Sequence, residues 1–350
     1  MKAVVAHGAG DLRIDEVAEP EPAAGEVAVR IVYGGICGSD LHYARTGANG
    51  AYTIVEPLIL GHEVVGVVDA IGSEVEIGVP VGTRVAIHPA TPTPRPGQTD
   101  GSGLNLAVGG TYLGSASTSP HTQGGLVGVL HVLPDQLRIL PDALPLTRAV
   151  LAEPLAVAIH GVSRFGDRVA GARVLVSGAG PIGCLAVAAL KAAGAATVVA
   201  TDLQAFPLLV ARSVGADVSV QIGVDTPIPP ESFDLAVEAA GAVPSLATCL
   251  EAVRRGGAVL QLGILPAGPL PVPLAGMIAK ELTLLGSQRF DVELDGAIEL
   301  LAASPELDRV VSDIYAIDDA ADAFQRAADS SRSAKVVIAV GDDPDRRPNP

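Results

Sequence analysis

Val174-Leu175-Val176-Ser177-Gly178-Ala179-Gly180-Pro181-Ile182-Gly183 carries the strongest structural signal in the chain. A run of small apolar residues passes into a glycine turn and then a helix start, with the GxGxxG spacing complete at Gly178, Gly180 and Gly183. Gly178 permits the turn, Gly180 lets backbone approach a pyrophosphate, and Gly183 allows close packing of helix on strand. Pro181 and Ile182 open the helix, whose first amides and positive dipole end suit a phosphate in a protein without a basic patch. The strand expected over 197–201 ends at Asp202, the distance at which a carboxylate can bind adenosine ribose hydroxyls. Its charge would repel a 2′-phosphate, so Asp202 favours NAD; Arg212 or another cation keeps NADP open.

Downstream of residue 173, apolar runs alternate with Ala-rich helical stretches. Strands are expected over 173–177, 197–201, 218–220, 233–238 and 258–262, with helices over 182–193, 208–214 and 245–253. That alternation predicts an α/β fold with a doubly wound parallel sheet covered on both faces. Gly194, Gly215 and Gly256 fall just past the expected helices, where a positive φ is common. Upstream, the chain is rich in Gly and Pro, and the alternation over 26–32 predicts half-buried strands in a β-rich domain. Residues 89–114 read as a long surface loop or lobe, and 341–350 as a disordered tail.

A chain of 350 residues favours two domains sharing a cleft. Apolar residues make up 49% of it and aromatics 3%, which suits an α/β protein with small side chains. No apolar run is long enough to cross a bilayer and the start does not resemble a secretory signal, so a cytoplasmic location is expected. Twenty-three Lys and Arg against 39 Asp and Glu give a net charge of −16, which argues against nucleic acid and anionic membranes as partners. Cys37, Cys184 and Cys249 are the only cysteines and are too dispersed for a disulfide framework or a zinc ribbon.

Gly35-Ile36-Cys37-Gly38-Ser39-Asp40-Leu41-His42 offers a thiol, a hydroxyl, a carboxylate and an imidazole, and Gly61-His62-Glu63 adds a second imidazole and carboxylate. A catalytic zinc needs three or four S, N or O ligands with a position left for water or substrate, and Cys37, His62 and a carboxylate meet that need. His62-Glu63 is not part of HExxH, because Gly66 stands where the second histidine would be, which disfavours metalloprotease chemistry.

Through GGICGSDLH, PLILGHEVVG, EPLAVAIHG and GAGPIG, the chain up to about residue 340 resembles the zinc-containing medium-chain dehydrogenases of the sorbitol, threonine and L-idonate dehydrogenase kind. The resemblance implies a GroES-like catalytic domain (1–155), a Rossmann dinucleotide-binding domain (156–286) and a return to the catalytic domain (287–340). By motif matching it implies Cys37, His62 and Glu153 as metal ligands and Glu63 as a carboxylate able to exchange with water or substrate in the zinc shell. Ser39 would touch the substrate hydroxyl, His42 would relay its proton to solvent, and Asp40 would orient His62. The zinc would act as a Lewis acid that lowers the alcohol's pKa, with hydride passing to the nicotinamide. His160 lies seven residues after Glu153, with packing as its expected role.

The family's structural zinc sits on four cysteines, but Thr93, Pro96, Thr99 and Ala107 stand at the matching positions here, so one catalytic zinc and no structural zinc are expected. CGSDLHY, PHTQGG and the Gly286-Ser287-Gln288-Arg289-Phe290 stretch resemble the L-idonate 5-dehydrogenases most, with sorbitol, xylitol and L-threonine as alternative substrates. Arg289 would lie near the substrate, binding hydroxyls, a carboxylate or Glu153, and Tyr43 would line the pocket. The partner is a small sugar acid or polyol, and the family implies a homodimer or homotetramer. The rivals are a zinc-free reductase on the same plan and a nucleotide-binding protein that has lost its chemistry.

Overall fold

The computed structural model describes residues 1–76, 78–91, 103–107 and 109–344. Six parallel strands form one sheet, in the order Val218–Gln221, Thr197–Asp202, Arg173–Ser177, Phe233–Glu238, Val253–Gln261, Thr283–Gly286. In chain order that is third, second, first, fourth, fifth, sixth. The strand order reverses beside Arg173–Ser177, and open α/β sheets bind their ligands at the carboxyl ends of the strands at such a reversal. Ala-rich helices Pro181–Ala192, Ala205–Ser213 and Val243–Ala252 connect the strands. The buried Val174, Val176, Val198 and Leu235 fit strands covered on both faces.

Gly194 and Gly215 carry φ of 85° and 115° just past their helices, as expected. Gly256 also has positive φ, at 71°, but it is not a helix cap. The helix stops at Ala252, and Gly256 lies inside the strand Val253–Gln261, where pairing with Phe233–Glu238 is irregular.

The other large sheet is mainly antiparallel and is centred on Val27–Gly35. That strand pairs with Glu63–Ile71 along its length, with Val129–Val132 at its first half and with Lys335–Ala339 at its end. The expected half-buried alternation is therefore replaced by burial on both faces, with only Arg30 partly exposed. The strand's central place in the sheet overrides the period-two pattern. The last segment thus returns to the antiparallel sheet, and Asp343 beyond it accepts a hydrogen bond from the Tyr33 hydroxyl at 3.0 Å. The start of the expected tail is therefore tied to the sheet, while 345–350 lie outside the described residues.

Helix Ala152–Ser163 joins the two halves, and the expected boundary at 155/156 falls inside it. Its Leu155, Ala156, Ala158 and Val162 share one apolar cluster with Val65 of the antiparallel sheet and Val174 of the parallel one. Each fully buried Leu or Val in it contributes about 1.5–3 kcal/mol. This continuous core ties the two sheets together through the helix.

Candidate active site

Two neighbouring strands bring the first set of ligand candidates together. Gly35 at the end of Val27–Gly35 pairs with Glu63 at the start of Glu63–Ile71, so Cys37 just after one strand and His62 just before the other emerge at the same edge. One ligand atom each from Cys37, His62 and Glu63 lie within 4.8 Å of one another. Gly35 leaves room at that edge for the Glu63 side chain, since a Cβ there would lie 2.1 Å from Oε2 in its present position.

Asp40 secures both loops. Its fully buried carboxylate accepts the backbone N–H of Cys37 at 2.8 Å and of Gly61 at 3.1 Å. Asp40 Oδ1 is 4.0 Å from His62 Nδ1, so it acts on His62 through the backbone of the loop and not by the ring hydrogen bond that orienting the imidazole would need. Burial opposes a charge on His62, but Cys37, Asp40 and Glu153 outweigh it and raise its pKa well above the ordinary value.

Glu153 comes from the first turn of Ala152–Ser163. It lies outside the group of three above, and its Oε1 accepts the Tyr112 hydroxyl at 2.5 Å. Burial raises the Glu153 pKa against the opposing influence of His62. Burial and the Glu153 charge push the Tyr112 phenol well up, so it remains a donor. The Arg289 guanidinium lies over the Tyr112 ring, 3.9 Å from its centroid, and the His62 ring is 5.6 Å from the Tyr112 ring on centroids. Arg289 has φ of 50°, a conformation that costs a non-glycine residue about 1–3 kcal/mol. Among the described residues it makes no ion pair, so of the alternatives raised for it the pairing with Glu153 is not made, and the guanidinium rests on an aromatic face.

Two residues that sequence reasoning missed complete the site. Tyr112 belongs to the segment read as a surface loop, but its strand Thr111–Tyr112 pairs with Ala90–Thr91 and turns the ring inward to 6% exposure. Of the positions matched to the structural-zinc cysteines, Thr93, Pro96 and Thr99 lie outside the described residues, whereas Ala107 follows a short turn of helix, Leu104–Leu106. Lys335, from the returning strand, donates to both oxygens of Glu63 and to the Ile36 carbonyl. Its only sequence signal is a lysine opening an apolar strand.

Ser39 is half-buried and His42 exposed on helix Gly38–Thr46. Tyr43 is a correction: it is 1% exposed, packs with Leu58, Leu60 and Ile338, and its hydroxyl accepts the Ala116 N–H at 3.1 Å. It sits in the core and does not line a pocket, because the inward face of that helix carries it against the sheet. His160 does more than pack, since Nδ1 meets Glu293 Oε1 at 2.7 Å and Nε2 meets Asn105 Nδ2 at 3.2 Å. Cys184 and Cys249 are buried in helices of the parallel sheet, where burial pushes both thiols up.

The glycine turn fits a dinucleotide. Gly178 has φ of 99°, and a Cβ on it would meet Ala240 N at 2.6 Å. A Cβ on Gly183 would lie 1.9 Å from Gly178 O, whereas one on Gly180 would meet nothing within 4 Å, leaving open space where the helix begins. Half-buried Pro181 and Ile182 follow in that first turn. Asp202 Oδ2 accepts the Ala179 N–H at 2.8 Å and Oδ1 the Gln204 N–H at 2.9 Å, so this carboxylate also braces the turn. A thiol, an imidazole and carboxylates at one sheet edge likewise match the donor set of a catalytic zinc.

Residues 23–138 match the alcohol dehydrogenase GroES-like domain and residues 181–303 the zinc-binding dehydrogenase domain. The chain is 36% identical to L-idonate 5-dehydrogenase (NAD(P)(+)) of Escherichia coli (strain K12) over 318 residues, covering 89% of this chain and 90% of the relative. It is 32% identical to sorbitol dehydrogenase of Bacillus subtilis (strain 168) over 335 residues, 93% of each. The crystal structure of L-idonate 5-dehydrogenase from Escherichia coli superposes with a TM-score of 0.90 at 33% identity, covering 97% of both chains. With the metal donors and the glycine turn in one fold, these matches show that the chain belongs to the zinc-binding dehydrogenases, as an oxidoreductase of the alcohol and polyol class that uses zinc and NAD(P).

Proposed function

We propose that the chain oxidises a secondary hydroxyl of a six-carbon sugar acid, in the manner of an L-idonate 5-dehydrogenase, with Cys37, His62 and Glu153 as metal ligands and Glu63 as the exchangeable carboxylate. The observation that carries this reading is the cluster of Cys37, His62 and Glu63 at one sheet edge beside the Arg289 cation. Arg289 can hold a substrate carboxylate through its planar fork. The two glutamates differ in a way that supports their roles. Both oxygens of Glu63 are held by Lys335, whereas among the described residues only Oε1 of Glu153 has a donor, which leaves Oε2 for a metal.

A zinc held there would supply Lewis acidity to the alcohol oxygen, and a bound NAD(P) would supply the hydride acceptor. Ser39 takes the hydroxyl proton and His42, exposed on the next turn, passes it to solvent. Gly178, Gly180, Pro181, Ile182 and Gly183 seat the pyrophosphate, and Asp202 holds the ribose and favours NAD over NADP.

The domain plan proposed with this function is catalytic residues to 155, dinucleotide-binding residues 156–286, and a return over 287–340. Zinc is bound once per chain, because Cys184 and Cys249 are buried away from the site and no other thiol remains for a structural ion. The chain assembles as a homodimer or homotetramer through the outer strand Thr283–Gly286, beside which Leu274 and Ile278 are exposed at 47% and 81%.

A screen of L-idonate, D-gluconate, sorbitol, xylitol and L-threonine with NAD and NADP, before and after chelation, tests the reading. Turnover of L-idonate above the others, abolished by chelation, is expected. Preference for sorbitol or xylitol favours the polyol reading, which a hydroxyl-binding Arg289 also allows, and turnover of none with intact nucleotide binding favours an inactive binding protein. Metal analysis should return one zinc per chain, and two tightly bound ions would refute the single-site count.

A further inference from the structure

Tyr112 stands apart from the rest of the metal-site machinery because it has a proton to give and no evident substrate to give it to. It is 6% exposed, and its hydroxyl donates to Glu153 Oε1 at 2.5 Å. A phenol buried in this manner is costly unless its hydrogen bond is satisfied, and a phenylalanine would fill the same space without that demand. The ring is also held from two sides. The Arg289 guanidinium covers its face at 3.9 Å, and the His62 ring is tilted against it at 58° with centroids 5.6 Å apart. Arg289 reaches this place in a left-handed backbone conformation, φ 50°.

We infer that Tyr112 is a positioning residue for the metal site, whose hydroxyl fixes the Glu153 carboxylate so that it ligates through one oxygen only. The inference rests on the reading of Glu153 as a metal ligand. A carboxylate free to rotate can bind a metal through both oxygens and fill the position that an alcohol needs. With Oε1 engaged by the phenol, that second contact is removed and the carboxylate's orientation is set before a metal arrives. The hydrogen bond also draws charge from Glu153, which makes it a weaker donor and leaves a bound zinc more electrophilic. Outer hydrogen bonds of this kind tune metal affinity, and their loss commonly costs about ten- to a hundredfold. Glu63 has a separate arrangement, a buried ammonium in place of a phenol, so the two carboxylates are held by donors of different charge.

Tyr112→Phe keeps the ring, its contact with Arg289 and its volume, and removes only the hydroxyl. The test compares wild type, Tyr112→Phe and Glu153→Gln as purified zinc proteins, measuring the rate of zinc release to a chromogenic chelator and the visible absorption bands of the cobalt(II)-substituted forms. Zinc release from Tyr112→Phe about tenfold faster than wild type, with displaced cobalt bands, is the expected result. Unchanged release and unchanged bands in Tyr112→Phe, with both altered in Glu153→Gln, overturn this inference and leave the ligand reading standing. If Glu153→Gln leaves both measurements at wild-type values, the ligand reading fails and the inference falls with it.

Discussion

Lys335 Nζ donates to both carboxylate oxygens of Glu63, at 2.6 and 2.7 Å, across 272 residues of chain. Both side chains are buried, with 3% and 1% of their surface exposed. The closing strand Lys335–Ala339 pairs antiparallel with the end of Val27–Gly35, Val337 opposite Gly35, and so delivers the ammonium beyond the edge where Glu63 begins. Burial works against the Lys335 charge, but Glu63 and Cys37 outweigh it and raise its pKa.

Lys335→Met removes one charge and leaves the other buried without a partner. Breaking a buried pair in this way costs about 3–5 kcal/mol. The midpoint of urea unfolding should fall accordingly, and the double variant Lys335→Met with Glu63→Gln should recover part of the loss. A midpoint unchanged in the single variant would mean that Glu63 is already compensated elsewhere.

His160 and Glu293 give a dependence on pH. Burial raises the Glu293 pKa, but His160 and nearby backbone donors outweigh it, and the carboxyl lies below its ordinary 4.5. A depressed carboxyl contributes stability that is full above the unfolded-state pKa and is lost as pH falls through the lower folded-state value. Wild type should therefore lose more stability than Glu293→Gln between about pH 6 and pH 3, by up to about 1 kcal/mol for a partly exposed pair. Urea unfolding across that range measures it, and parallel curves for the two proteins would refute it.

Gly183→Ala forces a methyl against Gly178 O, at 1.9 Å on the present backbone. Relief requires the helix to move off the glycine turn, at a cost of about 1–3 kcal/mol. NADH titration by fluorescence should show weaker binding by about tenfold or more, about 1.4 kcal/mol being tenfold. The zinc content should stay unchanged, because Cys37, His62 and Glu63 lie at the edge of the other sheet.

Asp202→Asn removes the charge that disfavours a 2′-phosphate and keeps one acceptor oxygen for the turn. The ratio of NADP to NAD affinity should rise by about tenfold, a shift of about 1.4 kcal/mol. An unaltered ratio would show that the carboxylate serves only Ala179 and Gln204.

Local chemistry in the sequence determined the parallel sheet, the glycine turn and the residue types at the metal edge. GxGxxG has one geometric solution between a strand and a helix, and Cys37 and His62 each stand next to a strand end that their flanking glycines and valines already mark. Helix ends were displaced by a residue or a few, and Gly256 was misplaced because its positive φ belongs to an irregular strand and not to a cap.

The side chains that hold the Glu63 and Glu153 carboxylates were set by contacts distant in the chain. Lys335 and Tyr112 reach Glu63 and Glu153 because one strand returns from the end of the chain and another pairs across a lobe, and neither event leaves a local period to read. Tyr43 was drawn into the core for the opposite reason: helix Gly38–Thr46 lies on the sheet and buries the face that carries it. Residue type together with the family resemblance proposed the metal ligands, but contacts spanning 41 and 272 residues determine how the Glu153 and Glu63 carboxylates are held, since that depends on distance in space and not along the chain.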